Sequence, residues 1–363
     1  MERIRSIDFM RGIMALSVLI YHFTGWTTGV LDSSSVIGRL GIYAVSTFYV
    51  VSGISLYIVY KDKSFGPVGM INFWIKRIFR IAPLFWIATI ITIIAIKMAW
   101  PNYVYPTEKL WMNFTLTFGF LAHEQYIPGG GWSIGNELVF YALFPILITL
   151  TKRPSTMILS VVVSLAVYVY FSFFLMTPKI NLGEQWINYI NPWNQLLLFV
   201  CGVTCGRIYD QLGSIGNTKA YGLLALAVLA FVFYPSTGNQ IHITTGFSRI
   251  AYTVICVMAA YACLNIHITA DNFMTKAMGL LGDLSYSLYL MHSAVATVAL
   301  HVLMPKMGIT DKTWKLVFLL LVVLPYLFVI SYIVYVGVEK PFIKLGRKLS
   351  IKSGKPRAEE SPA

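Results

Sequence analysis

The first apolar stretch of the chain carries three ionisable residues, Asp8, Arg11 and His22. Arg11 and His22 are eleven residues apart, about 1100° of helical rotation, which returns to within about 20° of the same face, and Asp8 sits one turn before Arg11. An imidazole ionises nearest neutrality of all side chains, so His22 suits proton transfer in a reaction centre or along a proton path. Glu137 and His292 are further ionisable groups inside apolar runs. Each such group costs about 2.5–3.5 kcal/mol at the centre of a spanning helix and therefore needs a partner or a function. The plainer arrangement is an interfacial Asp8–Arg11 pair with His22 as a hydrogen-bonded packing residue.

Counting at 1.5 Å per residue places His22 roughly 20 Å from the inner end of its helix. Glu137 and His292, each about thirteen residues from the inner end of theirs, come out at the same depth, in the outer third of a bilayer. A shared layer is what a reaction centre or a proton path requires, and packing alone supplies no reason for it. In that arrangement Glu137 orients His22 or holds the acceptor. Arg77 and Arg80, three residues apart with Lys76 beside them, are expected at the inner surface as a phosphate-sized clamp, with Arg11 extending it; a positive-inside anchor has the same sequence. Ser285, Tyr289 and His292 share a helical face that could hydrogen-bond an acceptor or act as polar glue between helices. Glu339 reads as a structural partner of the inner arginines rather than a catalytic group.

The elements that must position these residues are helices in lipid. Of 363 residues, 57% are hydrophobic and 12% charged, which no soluble chain of this size carries without large exposed apolar patches. Apolar runs of spanning length lie near 7–26, 37–60, 78–99, 132–150, 156–176, 192–208, 221–234, 247–265, 278–303 and 316–338. The expected fold is therefore all-α and polytopic, with about ten transmembrane helices and both termini cytoplasmic. The charge bias agrees with that orientation, since 20 of the 28 Lys and Arg fall on the side assigned as inner. The net charge of +13 sits in short clusters between the spans, which is topology and not a nucleic-acid footprint. Cys201, Cys205, Cys256 and Cys263 lie in apolar stretches and read as buried hydrophobes, with neither a disulfide framework nor a metal site. The first stretch lacks a cleavage signature and is expected to remain as a helix. Residues 1–349 form one membrane domain and 350–363 a disordered cytoplasmic tail. The aromatic-rich connection from Pro101 to Gly131 reads equally as an interfacial belt and as a lid or binding loop.

Several blocks then resemble the acyltransferase 3 family over nearly the whole chain. Arg5-x-x-Asp8-Phe9-x-Arg11-Gly12 with Tyr21-His22-Phe23 is similar to its opening signature, and Phe48-Tyr49-Val50-Val51-Ser52-Gly53 to its next run. Lys76-Arg77-Ile78-Phe79-Arg80-Ile81-Ala82-Pro83 matches its R-x-x-R segment, and Trp132-Ser133-Ile134-Gly135-Asn136-Glu137 with Phe140-Tyr141 its W-S-L-x-x-E block. Ser285 to His292 and Glu339-Lys340-Pro341-Phe342 resemble its closing blocks. Ile54-Ser55 and Met291 depart from the usual pattern, which leaves the acceptor open. The resemblance implies a membrane-bound O-acyltransferase of the bacterial inner membrane. It would move an acyl group, most often acetyl, from cytoplasmic acyl-CoA (acetyl-CoA) to a hydroxyl of a cell-surface glycan or lipid-linked glycan. His22 and Glu137 would be catalytic, with Arg11, Arg77 and Arg80 binding the donor; Asp8, Trp132, Ser133, Asn136, Ser285, Tyr289 and His292 would serve the acceptor or the site's support. No bound cofactor or metal is expected, and the partners are the donor, the acceptor and membrane lipid. A proton-coupled transporter or flippase is the rival class; the chain shows no inverted repeat or paired helix breaks to favour it.

Overall fold

The computed structural model describes residues 4–351, which are almost entirely helical and contain no strand. Ten long helices run in chain order: α1 Arg5–Thr28, α2 Val36–Tyr60, α3 Pro67–Ala99, α4 Gly131–Leu150, α5 Pro154–Leu175, α6 Pro192–Leu212, α7 Asn217–Phe233, α8 Gly246–Asn265, α9 Phe273–Lys306 and α10 Lys312–Lys348. Their starts follow local chemistry. The Ser35 hydroxyl accepts from the Gly38 amide ahead of α2, Asn191 and Asp311 cap α6 and α10, and Asn272 with Thr275 forms a capping box at α9. Proline in the first turn opens α3, α5 and α6, where its missing N–H has no helical partner to lose.

Eight of these helices are long and apolar enough to cross a membrane; α7 is apolar but only 17 residues long, and α6 is the other exception. Each span read from the sequence falls on one helix, and the molecule is an all-α polytopic membrane protein. The start of α3 differs from expectation. It begins at Pro67 and runs 33 residues, eleven residues before the expected apolar run, with Met70, Phe73 and Trp74 continuing its packed side and Phe73 fully buried. Of the expected tail, residues 352–363 lie outside the described residues. Ile351 is tied to α3 by hydrogen bonds in both directions with the Asn72 side chain, at 2.7 and 2.9 Å.

The centre of the bundle is α1, α2 and α9, with α3, α4 and α6 around them. Lipid offers no hydrophobic drive between helices, so backbones must approach closely for dispersion to hold them. Two glycine pairs do this. A Cβ on Gly53 of α2 would stand 2.3 Å from the Phe199 carbonyl oxygen, and one on Gly202 of α6 would stand 2.0 Å from that of Val50. Between α1 and α9, a Cβ on Gly12 would meet the Gly282 amide at 2.9 Å, and one on Gly282 would meet the Asp8 carbonyl oxygen at 2.4 Å. The glycines of the Arg11-Gly12 and Ser52-Gly53 motifs are thus contact points of the scaffold.

This contact generates a stability test. Gly202→Leu should lower the detergent-solubilised protein's unfolding midpoint by at least the about 1–3 kcal/mol of an overpacked core, while Gly222→Leu, whose Cβ would meet nothing within 4 Å, leaves it unchanged. Equal midpoints for the two variants would refute the close crossing of α2 and α6.

Candidate active site

His22 of α1 and His292 of α9 are brought together directly. His22 Nδ1 lies 2.8 Å from His292 Nε2, and the rings are within 8° of parallel with centroids 4.9 Å apart. The centroid separation exceeds the nitrogen distance by about one ring width, so the imidazoles meet edge to edge near a common plane, the geometry of a hydrogen bond. His292 Nδ1 is also 2.6 Å from the Tyr289 carbonyl oxygen. A carbonyl only accepts, so His292 Nδ1 carries the proton, its neutral ring accepts at Nε2, and His22 must donate through Nδ1. The lone pair of His22 is thereby confined to Nε2. His292 is fully buried and His22 half-buried. Trp26, one turn beyond His22, lies parallel to it at 5.0 Å between centroids and to His292 at 5.8 Å.

Next to the pair, α9 meets the glycine turn that begins α4. The Gly129 amide donates to Ser293 Oγ at 3.0 Å, and the Tyr289 hydroxyl donates to the Gly130 carbonyl at 3.2 Å. Ser133 Oγ lies 2.9 Å from that same carbonyl and 3.0 Å from the Tyr289 hydroxyl, and its single proton can serve either. Gly130 has φ +80°, and a Cβ there would strike the Tyr289 ring at 2.8 Å, so the turn closes over α9 only with glycine. The connection read as a belt or a lid packs inward at this point, with Phe118 fully buried 5.4 Å from Phe85.

From Ser133 and Tyr289 a cavity of about 160 Å³ runs between α1, α2, α3, α4 and α9 to Arg11, Arg77, Arg80, Glu137 and Tyr141, with Ser52, Ser55 and Ser285 in its wall. Tyr141, one turn after Glu137, donates its hydroxyl to the carboxylate at 3.1 Å. The charges of Arg11, Arg80 and Glu137 act on one another, and Asp8 acts on Arg11. Glu339, buried, accepts from Ser287 at 3.2 Å and lies within electrostatic range of Arg80 and Arg11, where a structural partner was expected. The Arg77 guanidinium sits over three rings, 5.7 Å from Tyr60, 5.9 Å from Phe73 and 5.8 Å from Tyr141.

Two expected placements change. Glu137 is not the partner of His22: it accepts a hydrogen bond from Tyr141 and its charged neighbours are the arginines, while His292 takes the orienting position. Arg77 and Arg80 do not stand at the start of α3, since thirteen residues, about 20 Å of helix, precede Arg80. The arginine placement changes because α3 begins eleven residues before the expected apolar run, whereas the common depth counted for His22 and His292 agrees with their 2.8 Å contact. Trp132 and Asn136 point away from the cavity. Trp132 packs edge-on to Tyr49, Trp186 and Tyr189, and the Asn136 amide donates to the Tyr49 hydroxyl at 3.1 Å. Ser285 and Tyr289 do line it, one face with His292, as the spacing implies. Trp26 and Tyr141 escaped the sequence reading, although each follows a singled-out residue at the i+4 spacing that could have marked it.

The family model described as "Acyltransferase domain", of the acyltransferase 3 family, matches residues 4–336. The chain belongs to this family. It is 24% identical over 333 residues to a Staphylococcus aureus (strain COL) protein named an O-acetyltransferase, covering 81% of this chain and 51% of that one, so the chain spans about half the length of this relative. The exopolysaccharide production protein ExoZ of Rhizobium meliloti is 24% identical over 336 residues, 87% of this chain and 93% of its own. The acyltransferase MdmB of Streptomyces mycarofaciens is 24% identical over 392 residues, 99% of this chain and 97% of its own. No solved structure matches.

The tautomer argument has a direct check. In protein labelled with ¹⁵N-histidine and held in nanodiscs near neutral pH, the His22 signal should show a protonated Nδ1 and a bare Nε2, and His292→Ala should abolish that preference. A His22 protonated at Nε2 in the unmodified chain would contradict the relay.

Proposed function

We propose that this acyltransferase 3 family member is a membrane O-acyltransferase of the bacterial inner membrane. It takes an acyl group, acetyl in the first instance, from cytoplasmic acyl-CoA and passes it to a hydroxyl of a cell-surface or lipid-linked glycan. The observation that carries the reading is the His292-fixed tautomer, which leaves His22 Nε2 as a directed base. The names of the relatives, two for acyl transfer and one for exopolysaccharide production, support the donor group and the glycan acceptor respectively.

In this reading the anionic end of the donor lies toward Arg11, Arg77 and Arg80. Three of the charged groups lining the cavity are guanidinium and one is carboxylate, a balance that favours an anion. The continuous helix α1 separates Arg11 from His22 by about 16 Å along its axis, comparable with an extended pantetheine arm, which would bring the thioester toward the histidines. His22 Nε2 takes the proton of the acceptor hydroxyl as its oxygen attacks the thioester carbonyl; the carbon–sulfur bond then breaks and coenzyme A leaves, with the proton returned to sulfur. His292, hydrogen-bonded behind His22, would share the positive charge that develops on the first ring. Glu137, held by Tyr141, sets the position of Arg11 and Arg80.

With membranes supplied labelled acetyl-CoA, His22→Ala should lower transfer by about 10²–10⁴-fold while the protein remains in the membrane. Arg77→Ala with Arg80→Ala should instead raise the donor KM with kcat retained. Transfer undiminished in His22→Ala would end this assignment of the base, and an unchanged donor KM in the double variant would end the assignment of the arginines.

A further inference from the structure

Beside the arginines, but outside the cavity described above, lies a second hollow at the turn from α2 into α3. It has a volume of about 400 Å³, and Lys63, Ser64, Phe65, Gly69, Asn72 and Lys76 are among its walls. The Lys63 ammonium stands 4.4 Å from the centre of the Tyr60 ring. Among the described residues neither Lys63 nor Lys76 takes part in an ion pair. The charges acting on Lys63 are instead Lys76 and Arg77, which together with burial push its ammonium below the ordinary value. Cations gathered without a counter-charge repel one another, and the arrangement is relieved when an anion enters. The start of α3 adds to the field: Gly66 provides no side-chain cap for this 33-residue helix, and Gly66, Val68 and Gly69 line the same hollow as the lysines.

The hollow and the catalytic cavity share a wall. Arg77 lines the cavity, yet its guanidinium lies over Tyr60 and Phe73, which line the hollow, and over Tyr141, which lines the cavity. The Arg77 Nε is buried and has no hydrogen-bond partner among the described residues. One cation therefore stands between two compartments, with an unused donor.

We propose that this hollow is a phosphate-binding site, formed by Lys63, Ser64 and Lys76 at the head of α3, that holds the terminal nucleotide phosphate of the acyl donor, beyond the phosphates next to its arm that Arg11, Arg77 and Arg80 receive in the cavity. The assignment rests on the acyl-CoA reading given above. The phosphate of an anionic lipid headgroup has the same chemistry, and the test separates the two sources.

The full chain would be placed in nanodiscs of phosphatidylcholine, and KM measured for acetyl-CoA and for acetyl-pantetheine, which lacks every phosphate. In Lys63→Gln with Lys76→Gln, the KM for acetyl-CoA should rise about tenfold or more, the loss of one charge-assisted contact or two. The KM for acetyl-pantetheine should not move, and Lys63→Arg with Lys76→Arg should restore the first value. Lys63 is exposed, so the glutamine variant disturbs no core packing. An acetyl-CoA KM equal to that of the unmodified chain overturns the proposal. So does a loss, in a parallel preparation containing phosphatidylglycerol, of the phosphatidylglycerol that the unmodified chain retains in native mass spectrometry, with donor KM unaltered, which would assign the hollow to lipid. If the unmodified chain transfers from neither donor, the acyltransferase reading fails first and the donor site with it.

Discussion

The approach of α1 to α9 is the constraint on which the site depends. Gly12 and Gly282 let the two backbones touch, and ten residues further along α1 and ten along α9 stand His22 and His292, near enough for a 2.8 Å hydrogen bond. Helices held at side-chain distance, the usual 8–10 Å between axes with bulky contacts, would leave two short imidazoles apart or joined through water. The same approach carries Ser285 and Tyr289 into the cavity wall, and Tyr289 in turn anchors the glycine turn that starts α4. A glycine contact that reads in sequence as mere motif is thus the reason a base, its orienting group and the neighbouring hydroxyls share one place.

Buried arginines elsewhere in the molecule show what a purely structural guanidinium looks like. Arg39 gives hydrogen bonds to the carbonyls of Ser33, Ser34, Phe231 and Val232, closing the end of α7. Arg249, fully buried, donates to the Asn194 carbonyl and lies 4.2 Å over Tyr168, whose hydroxyl is 2.5 Å from that of Thr253. Each of these groups ends on fixed protein oxygens. Arg77 lies over three rings as Arg249 lies over one, but it keeps a buried Nε without an oxygen among the described residues, and it lines a cavity. An unmet donor inside a protein costs about 1–3 kcal/mol, a cost that an entering anion would relieve.

The sequence was informative where a residue's own helix determined the answer. Apolar runs located the ten helices, and the stripe of Arg11 and His22 held because both sit on the single helix α1. Likewise the shared face of Ser285, Tyr289 and His292 followed from spacing within α9. What failed needed the height of one helix against another. Glu137 was paired with His22 by counting from helix ends, but α3 starts eleven residues early and places Arg80 alongside Glu137 and Tyr141. No periodicity within α4 tells which side chains of α1 and α3 it meets. For His22 and His292, 270 residues apart along the chain, counting gave a common depth but not that their rings touch.

The arginines of the cavity are met by carboxylates from more than one helix. In α10 the π-helical segment Tyr335–Glu339 widens the backbone at its end, and Glu339 turns inward to Ser287 and toward Arg80 and Arg11. Such widening inserts an extra residue and re-aims the side chains around it. Glu137 acts on Arg11 and Arg80 from α4, and Asp8 acts on Arg11 from α1, so the two guanidiniums meet negative charge from three different helices. Cations gathered inside a bundle are tolerable only with such compensation, which is why these arginines can line a cavity at all.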